Sequence, residues 1–135
     1  MSDKTLLAYK DLLMDKKVVC MIAVGRTNDA PHLTPVWFGV TEEDFDNKEL
    51  TFNTLRGRVK ANLLKVGTKL SISMVDPDEP SRYLSMGGIV ERIIGGEEGL
   101  NHIHELSHKY TGHDAVFLQP GDERLKYIIK ITELY

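Results

Sequence analysis

A strand pattern, Leu50-Thr51-Phe52-Asn53-Thr54, gives way to a helical one over 58–65 through a turn that carries three cations, Arg56, Arg58 and Lys60. A helix start carries roughly +0.5 of an elementary charge, so cations there are disfavoured and Asp or Glu is usual. Between 50 and 75 stand five basic residues and no acidic one, in a chain of formal net charge −3. A bound anion resolves the conflict, because backbone N–H groups, the helix dipole and three cations converge on it. A solvated basic turn without a ligand is the other reading, and these residues alone leave both open. The junction also limits the fold. It is not the Gly-rich strand-to-helix turn of a dinucleotide-binding unit, and with so few helices a doubly wound sheet is excluded.

The 135 residues suit a single domain, 1–135, large enough to bury about two-thirds of its unfolded surface. The negative balance argues against nucleic acid as a partner, so the basic cluster serves something small and local. No apolar run approaches the ~18 residues of a membrane span, and the polar start Ser2-Asp3-Lys4 predicts no signal peptide. The single Cys20 can form no internal disulfide; its apolar surroundings predict a buried thiol in a reducing cytoplasm, inert because burial raises thiol pKa.

In chain order, Leu6, Leu7, Tyr9, Leu12 and Leu13 predict an amphipathic helix over 5–15. The β-branched run 18–24 predicts a strand buried on both faces. A second strand, 32–40, places His32, Thr34, Val36 and Phe38 on one face and Leu33, Pro35 and Trp37 on the other. Pro35 has no N–H, so pairing is expected to break there, at an edge or a bulge. The acid-rich stretch 41–49 reads as a solvated loop. On the helix that follows, Val59, Leu63 and Val66 share one face, and Gly67 ends it. Strands are predicted over 69–75, 82–94 and 125–131, the middle one with a bulge or close backbone approach at Gly87-Gly88. A helix over 97–110 carries Leu100, Ile103, Leu106 and Tyr110 toward the core and closes at Gly112. Six strands with short helices between them suit a small antiparallel barrel of α+β type.

His104-Glu105-Leu106-Ser107-His108 matches H-E-x-x-H on a predicted helix. A zinc site needs a third ligand, and Thr111 and Asp114 stand where the longer pattern wants Gly and His. With the apolar face of the helix turned to the core, both histidines are expected near solvent, and no metal site is assigned.

Three stretches carry a resemblance: 31–40, with Pro31-His32-Leu33-Thr34-Pro35-Val36-Trp37; 50–60; and Asp76-Pro77 followed by Arg82-Tyr83-Leu84. Together with Tyr110-Thr111-Gly112 and Pro120-Gly121-Asp122-Glu123-Arg124, they resemble the pyridoxamine-5′-phosphate-oxidase-like split-barrel superfamily over 18–135. The likeness is greatest to its flavin- and deazaflavin-dependent oxidoreductases. It implies a mainly β, six-stranded antiparallel split barrel with short helices, a homodimer with one cofactor in each of two interface grooves. It also implies that the segment of Thr54, Arg56, Arg58 and Lys60 holds the cofactor phosphate, with Asn53 and Gly57 among the cofactor-binding residues. Thr34, Pro35, Val36 and Trp37 would lie along the ring system, and Arg82 joins the cofactor-binding set. Where relatives carry basic residues flanking the glycine of an x-G-x-V strand, this chain has Gly87 and Ile89. The implied cofactor is FMN or the deazaflavin coenzyme F420. The implied activity is hydride transfer to or from a small organic substrate; the alternative is a protein that binds or stores a flavin, a deazaflavin or haem without turnover.

Overall fold

The computed structural model describes residues 5–135, so the polar start at Ser2-Asp3-Lys4 lies outside the described residues. Seven strands, β1 (Cys20–Arg26), β2 (Asp29–Val36), β3 (Phe38–Gly39), β4 (Glu49–Leu55), β5 (Lys69–Val75), β6 (Tyr83–Ile94) and β7 (Arg124–Leu134), form one antiparallel sheet. Their order is β2-β1-β5-β6-β7-β4-β3. β2 and β3 stand at opposite edges of that order although Trp37 alone separates them in the chain. One length of backbone therefore bridges both edges and curls the sheet into a split barrel with short helices.

The expected six strands become seven at this bridge. The segment leaves β1 after the Cys20↔Val36 pair and takes up β4 at Phe38↔Phe52, so one predicted strand is two ladders. The break falls at Trp37 rather than Pro35, which stays in register with Met21. β2 is an edge strand, where a missing N–H on the open side breaks no ladder. The glycine pair on β6 fulfils both expectations: pairing with β7 slips between Gly87 and Gly88, and a Cβ on Gly88 would stand 2.7 Å from Ile129 Cγ2.

Among the described residues four helices decorate the sheet: α1 (Lys10–Met14, preceded by a 3₁₀ turn at Leu6–Tyr9), α2 (Glu42–Asp46), α3 (Val59–Leu63) and α4 (Gly96–Thr111). α2 corrects the expected acidic loop. Thr41 and Asp44 close a capping box, and Glu42, Glu43 and Asp44 sit in its first turn, where acids favour a helix start. α3 turns a different face inward than expected: Lys60, Ala61 and Leu64 are buried, whereas Val59 and Val66 are exposed. Likewise α4 buries Gly99, His102, Ile103, Leu106 and Ser107 and leaves Leu100 exposed. β1 is buried on one face only, since Met21 points outward between Cys20 and Ile22.

Leu12 and Leu13 of α1 join the barrel core with Ile22, Phe38, Leu50, Ile72, Leu84 and Ile129. Within it the rings of Phe52 and Tyr127 stack at 5.1 Å and 4°. α4 lies on β7 at closest range where Gly99 has no side chain, because a Cβ there would meet the Arg124 carbonyl oxygen at 2.1 Å. That contact sets the site described next.

Candidate functional site

Gly57 holds the turn between β4 and α3 at φ 95°, a left-handed conformation that a Cβ would strain. The chain reverses there, with the Arg58 N–H donating to the Leu55 carbonyl at 3.2 Å, and Arg58 becomes the N-cap residue of α3. Two residues on, Lys60 is buried, and its ammonium donates to Thr34 Oγ1 on β2 at 3.3 Å. The two strongest sequence segments, 34–37 and 53–60, thus meet.

They meet around a cavity of about 430 Å³, within the range of small-molecule and cofactor sites. One wall is aromatic: Trp37 and Phe117 line it with ring centroids 6.1 Å apart, and Tyr110, outside the lining, stacks on Trp37 at 5.1 Å and 7°. Pro35, Val36, Ile103 and Leu106 add apolar lining. The polar part comprises Asn53, Thr54, Arg58, Lys60 and Arg124, and none of the lining residues is acidic. Thr34 and Gly57 front an adjoining hollow that shares Arg58 and Lys60.

The electrostatics of this cluster are unbalanced. Burial lowers the Lys60 pKa, and the charges of Arg58 and Arg124 lower it further. Arg124 is lowered by burial and then by Arg58, with Asp122 opposing. Thr54 Oγ1 is fully buried and, alone among the buried side-chain nitrogen and oxygen atoms of the described residues, has no hydrogen-bond partner. A buried hydroxyl left so costs about 1–3 kcal/mol. Three mutually repelling cations beside an unsatisfied hydroxyl fit a phosphate, which would neutralise the first and accept from the second.

Behind the cations runs a directional chain of hydrogen bonds. Arg124 Nε donates to Asn53 Oδ1 at 2.8 Å, which fixes the amide so that Nδ2 donates to the Gly99 carbonyl at 2.9 Å and to His102 Nδ1 at 3.1 Å. His102 must then carry its proton on Nε2, which donates to Thr51 Oγ1 at 3.0 Å; Thr51 donates onward to the Gly39 carbonyl at 3.2 Å. Burial, helped by Lys126 and Arg124, pushes the imidazole pKa down to about 3, so the ring is neutral.

Of the sequence-derived candidates, Pro35, Val36, Trp37, Asn53, Thr54, Arg58 and Lys60 line the main cavity, and Thr34 and Gly57 its neighbour. Arg56 and Arg82 line neither. The β4–β7 register pairs Leu55 with Arg124. Arg56 therefore falls beside Glu123, to which its Nε donates at 2.7 Å and its Nη2 at 3.0 Å. Arg82 donates to Asp11 and to the buried Asp76, at 2.8 and 2.7 Å, and to the Ala8 carbonyl, pinning the 76–82 loop to the N-terminal helix. Arg124, His102 and Phe117 were absent from the candidate set. The one available signal for His102 was its place among Gly99, Ile103 and Leu106, at core spacing on a helix.

The H-E-x-x-H histidines serve α4 and the segment after it. His104 Nδ1 accepts from the Ala115 N–H at 3.0 Å, and His108 Nε2 meets Asp114 Oδ1 at 2.6 Å. His104 is half-buried rather than at the surface, while His108 is exposed. No group of three or more described His, Cys, Asp or Glu residues is arranged to hold a metal ion. Cys20 is buried with its thiol pKa pushed up to about 12, chiefly by burial. Among the described residues no helix is long and apolar enough to cross a membrane.

No protein-family model and no curated protein matches the chain. Solved structures do. An F420 reductase superposes with a TM-score of 0.75 at 23% identity, over 93% of this chain and 94% of that one. The conserved hypothetical protein Rv2991 of Mycobacterium tuberculosis gives 0.68 at 20%, over 99% and 82%. A Lactobacillus delbrueckii protein assigned provisionally as a pyridoxamine 5′-phosphate oxidase gives 0.52 at 14%, over 100% and 93%. At such identities the likeness is one of architecture, and the chain has the fold of the pyridoxamine-5′-phosphate-oxidase-like split barrels.

Proposed function

We propose that the protein is a homodimeric oxidoreductase that binds FMN or the deazaflavin coenzyme F420 in the cavity beside Trp37. The observation that carries this reading is the cluster of three cations, Arg58, Lys60 and Arg124, that no lining carboxylate neutralises, on a cavity also lined by Thr54, whose buried hydroxyl has no hydrogen-bond partner. Arg58, Lys60 and Arg124 would hold the phosphate, with Thr54 donating its hydroxyl proton. Pro35, Val36 and Trp37 would flank the ring system, and Ile103, Leu106 and Phe117 would keep water from it. A flavin or deazaflavin supplies hydride transfer when bound; the protein supplies orientation and a dry, positively charged pocket. The substrate class is a small organic molecule. The buried free Cys20 suits a reducing cytoplasm.

Storage of the same cofactor without turnover would use the same cavity. Haem storage fits it less well, since none of the described lining residues is a His, Cys, Met or Tyr, the usual axial ligands.

Titration of FMN beside riboflavin tests the phosphate reading. A charge-assisted hydrogen bond is worth about 1.5–3 kcal/mol, so Arg58→Ala should weaken FMN roughly ten- to a hundredfold and leave riboflavin nearly unchanged. The ligand-free variant should be as stable as the wild type or slightly more, because Arg58 repels both Lys60 and Arg124. Equal loss of both ligands, with a lower melting temperature, would refute the site. Stopped-flow reduction and reoxidation by candidate substrates then separates an enzyme from a store.

A further inference from the structure

We propose that His102 is a positioning residue: through Asn53 it holds the Arg124 guanidinium toward the cation-lined end of the cavity, to serve the phosphate of the bound cofactor. The inference rests on the phosphate reading above.

Arg124 lines the cavity, and its one side-chain hydrogen bond among the described residues runs from Nε to Asn53 Oδ1. Both Nη groups are thereby left for the cavity, and the Phe117 ring lies 5.8 Å from the guanidinium carbon on one side. The aim of Arg124 depends on which way the Asn53 amide faces. A flipped amide would set NH₂ against the Nε–H, donor against donor. Two acceptors prevent the flip, the Gly99 carbonyl and His102 Nδ1, each taking one amide hydrogen. His102 can accept only as the Nε2–H tautomer, and Thr51, itself donating to Gly39, holds it in that form. The missing side chain of Gly99 lets α4 approach the Arg124 backbone closely enough for this chain to form. Gly99, His102, Thr51 and Gly39 do not line the cavity, so His102 acts from behind the site.

The side-chain amides separate the two faces of the imidazole. His102→Asn offers an oxygen near the place of Nδ1 and keeps an acceptor for Asn53. His102→Gln reaches the place of Nε2, keeps the Thr51 contact and drops the Asn53 one. His102→Leu removes both. In the leucine and glutamine variants FMN affinity should fall about tenfold while riboflavin changes less than twofold, and the asparagine variant should recover most of the loss. In the ligand-free, ¹⁵N-labelled protein the Arg124 Nε–H should exchange slowly with solvent, at least tenfold faster in the leucine and glutamine variants, and slowly again in the asparagine variant. Should His102→Leu fail to fold, His102→Gln carries the same expectation. Unchanged Nε–H exchange in that variant overturns the positioning role, and so does an equal loss of FMN and riboflavin. A wild-type protein that binds FMN no better than riboflavin overturns the phosphate reading instead, and the exchange measurement still judges whether His102 holds Arg124.

Discussion

Thr54 and His102 are both buried polar residues and have opposite characters. Thr54 is buried and unsatisfied, and His102 is buried with both ring nitrogens engaged. The satisfied group makes a pH prediction. Its folded pKa of about 3 lies below the ordinary value of 6.5, so between those limits the unfolded chain binds a proton that the folded chain refuses. Stability from this group is complete above about pH 6.5 and is lost as pH falls toward 3, by about 1.4 kcal/mol per unit. Urea unfolding at pH 7 and pH 5 should show the wild type losing about 2 kcal/mol more than His102→Asn; an equal loss in both would mean that the ring is charged in the native state. The carboxylate of Asp76 acts in a more acidic window. Lys16, the Asp78 N–H and Arg82 hold it far below the usual range, so its contribution is present above about pH 4 and lost only under stronger acid.

At the scale of elements, α4 is the part whose packing the site depends on, and Gly99 is where it is set. A methyl group there would meet the Arg124 carbonyl oxygen at 2.1 Å and that of Ile94 at 2.9 Å, both backbone atoms that cannot swing aside. Gly99→Ala should cost about 3 kcal/mol, the upper end for overpacking, and should raise the FMN dissociation constant by pulling His102 off Asn53. Gly25→Ala, with nothing within 4 Å of the added carbon, should change stability by less than about 0.5 kcal/mol. Chemical denaturation of the two variants checks the contrast. The same helix shows what periodicity could reveal. Its extent, its glycine end and the inward Ile103 and Leu106 were legible, because they follow from apolar spacing. Its true inner face was not, since that face is defined by a glycine and a histidine, which carry no apolar signal. On α3 the reversal has a similar cause: one of the buried residues is a lysine, Lys60, which an amphipathic reading puts in solvent. The basic turn was legible because its charge conflicts with the helix dipole. Which cations face the cavity was not, since that depends on the β4–β7 register, which ties Arg56 to Glu123 and brings in Arg124 from far along the chain.

For the whole molecule, the run that was read as buried on both faces is the instructive case. In the single chain this run buries Cys20, Ile22 and Val24 and leaves Val19 48% exposed and Met21 36% exposed. Met21 pairs with Pro35 and Ala23 with Leu33, which is 62% exposed, and on the other side Met21 and Ala23 face Ser73 and Ser71 of β5. The outer side of β2, β1 and β5 is thus a sheet face of apolar and small residues, of the kind that marks an interaction surface. Val19 and Pro35 belong to both this face and the cavity lining, so whatever covers the face also borders the site. The predicted cover is a second copy of the chain. At micromolar concentration the protein should sediment at twice its 15.3 kDa mass. Leu33→Lys, at a position already open to solvent in the single chain, should leave folding within about 0.5 kcal/mol of the wild type at equal chain concentration in the monomer. It should nevertheless yield monomers, because the dimer would have to bury an unpaired ammonium. The same variant should bind FMN more weakly although Leu33 does not line the cavity, since the rim at Val19 and Pro35 would lose its cover. A wild-type monomer that binds cofactor at full affinity would show that one barrel completes the site by itself and that the open face serves something else.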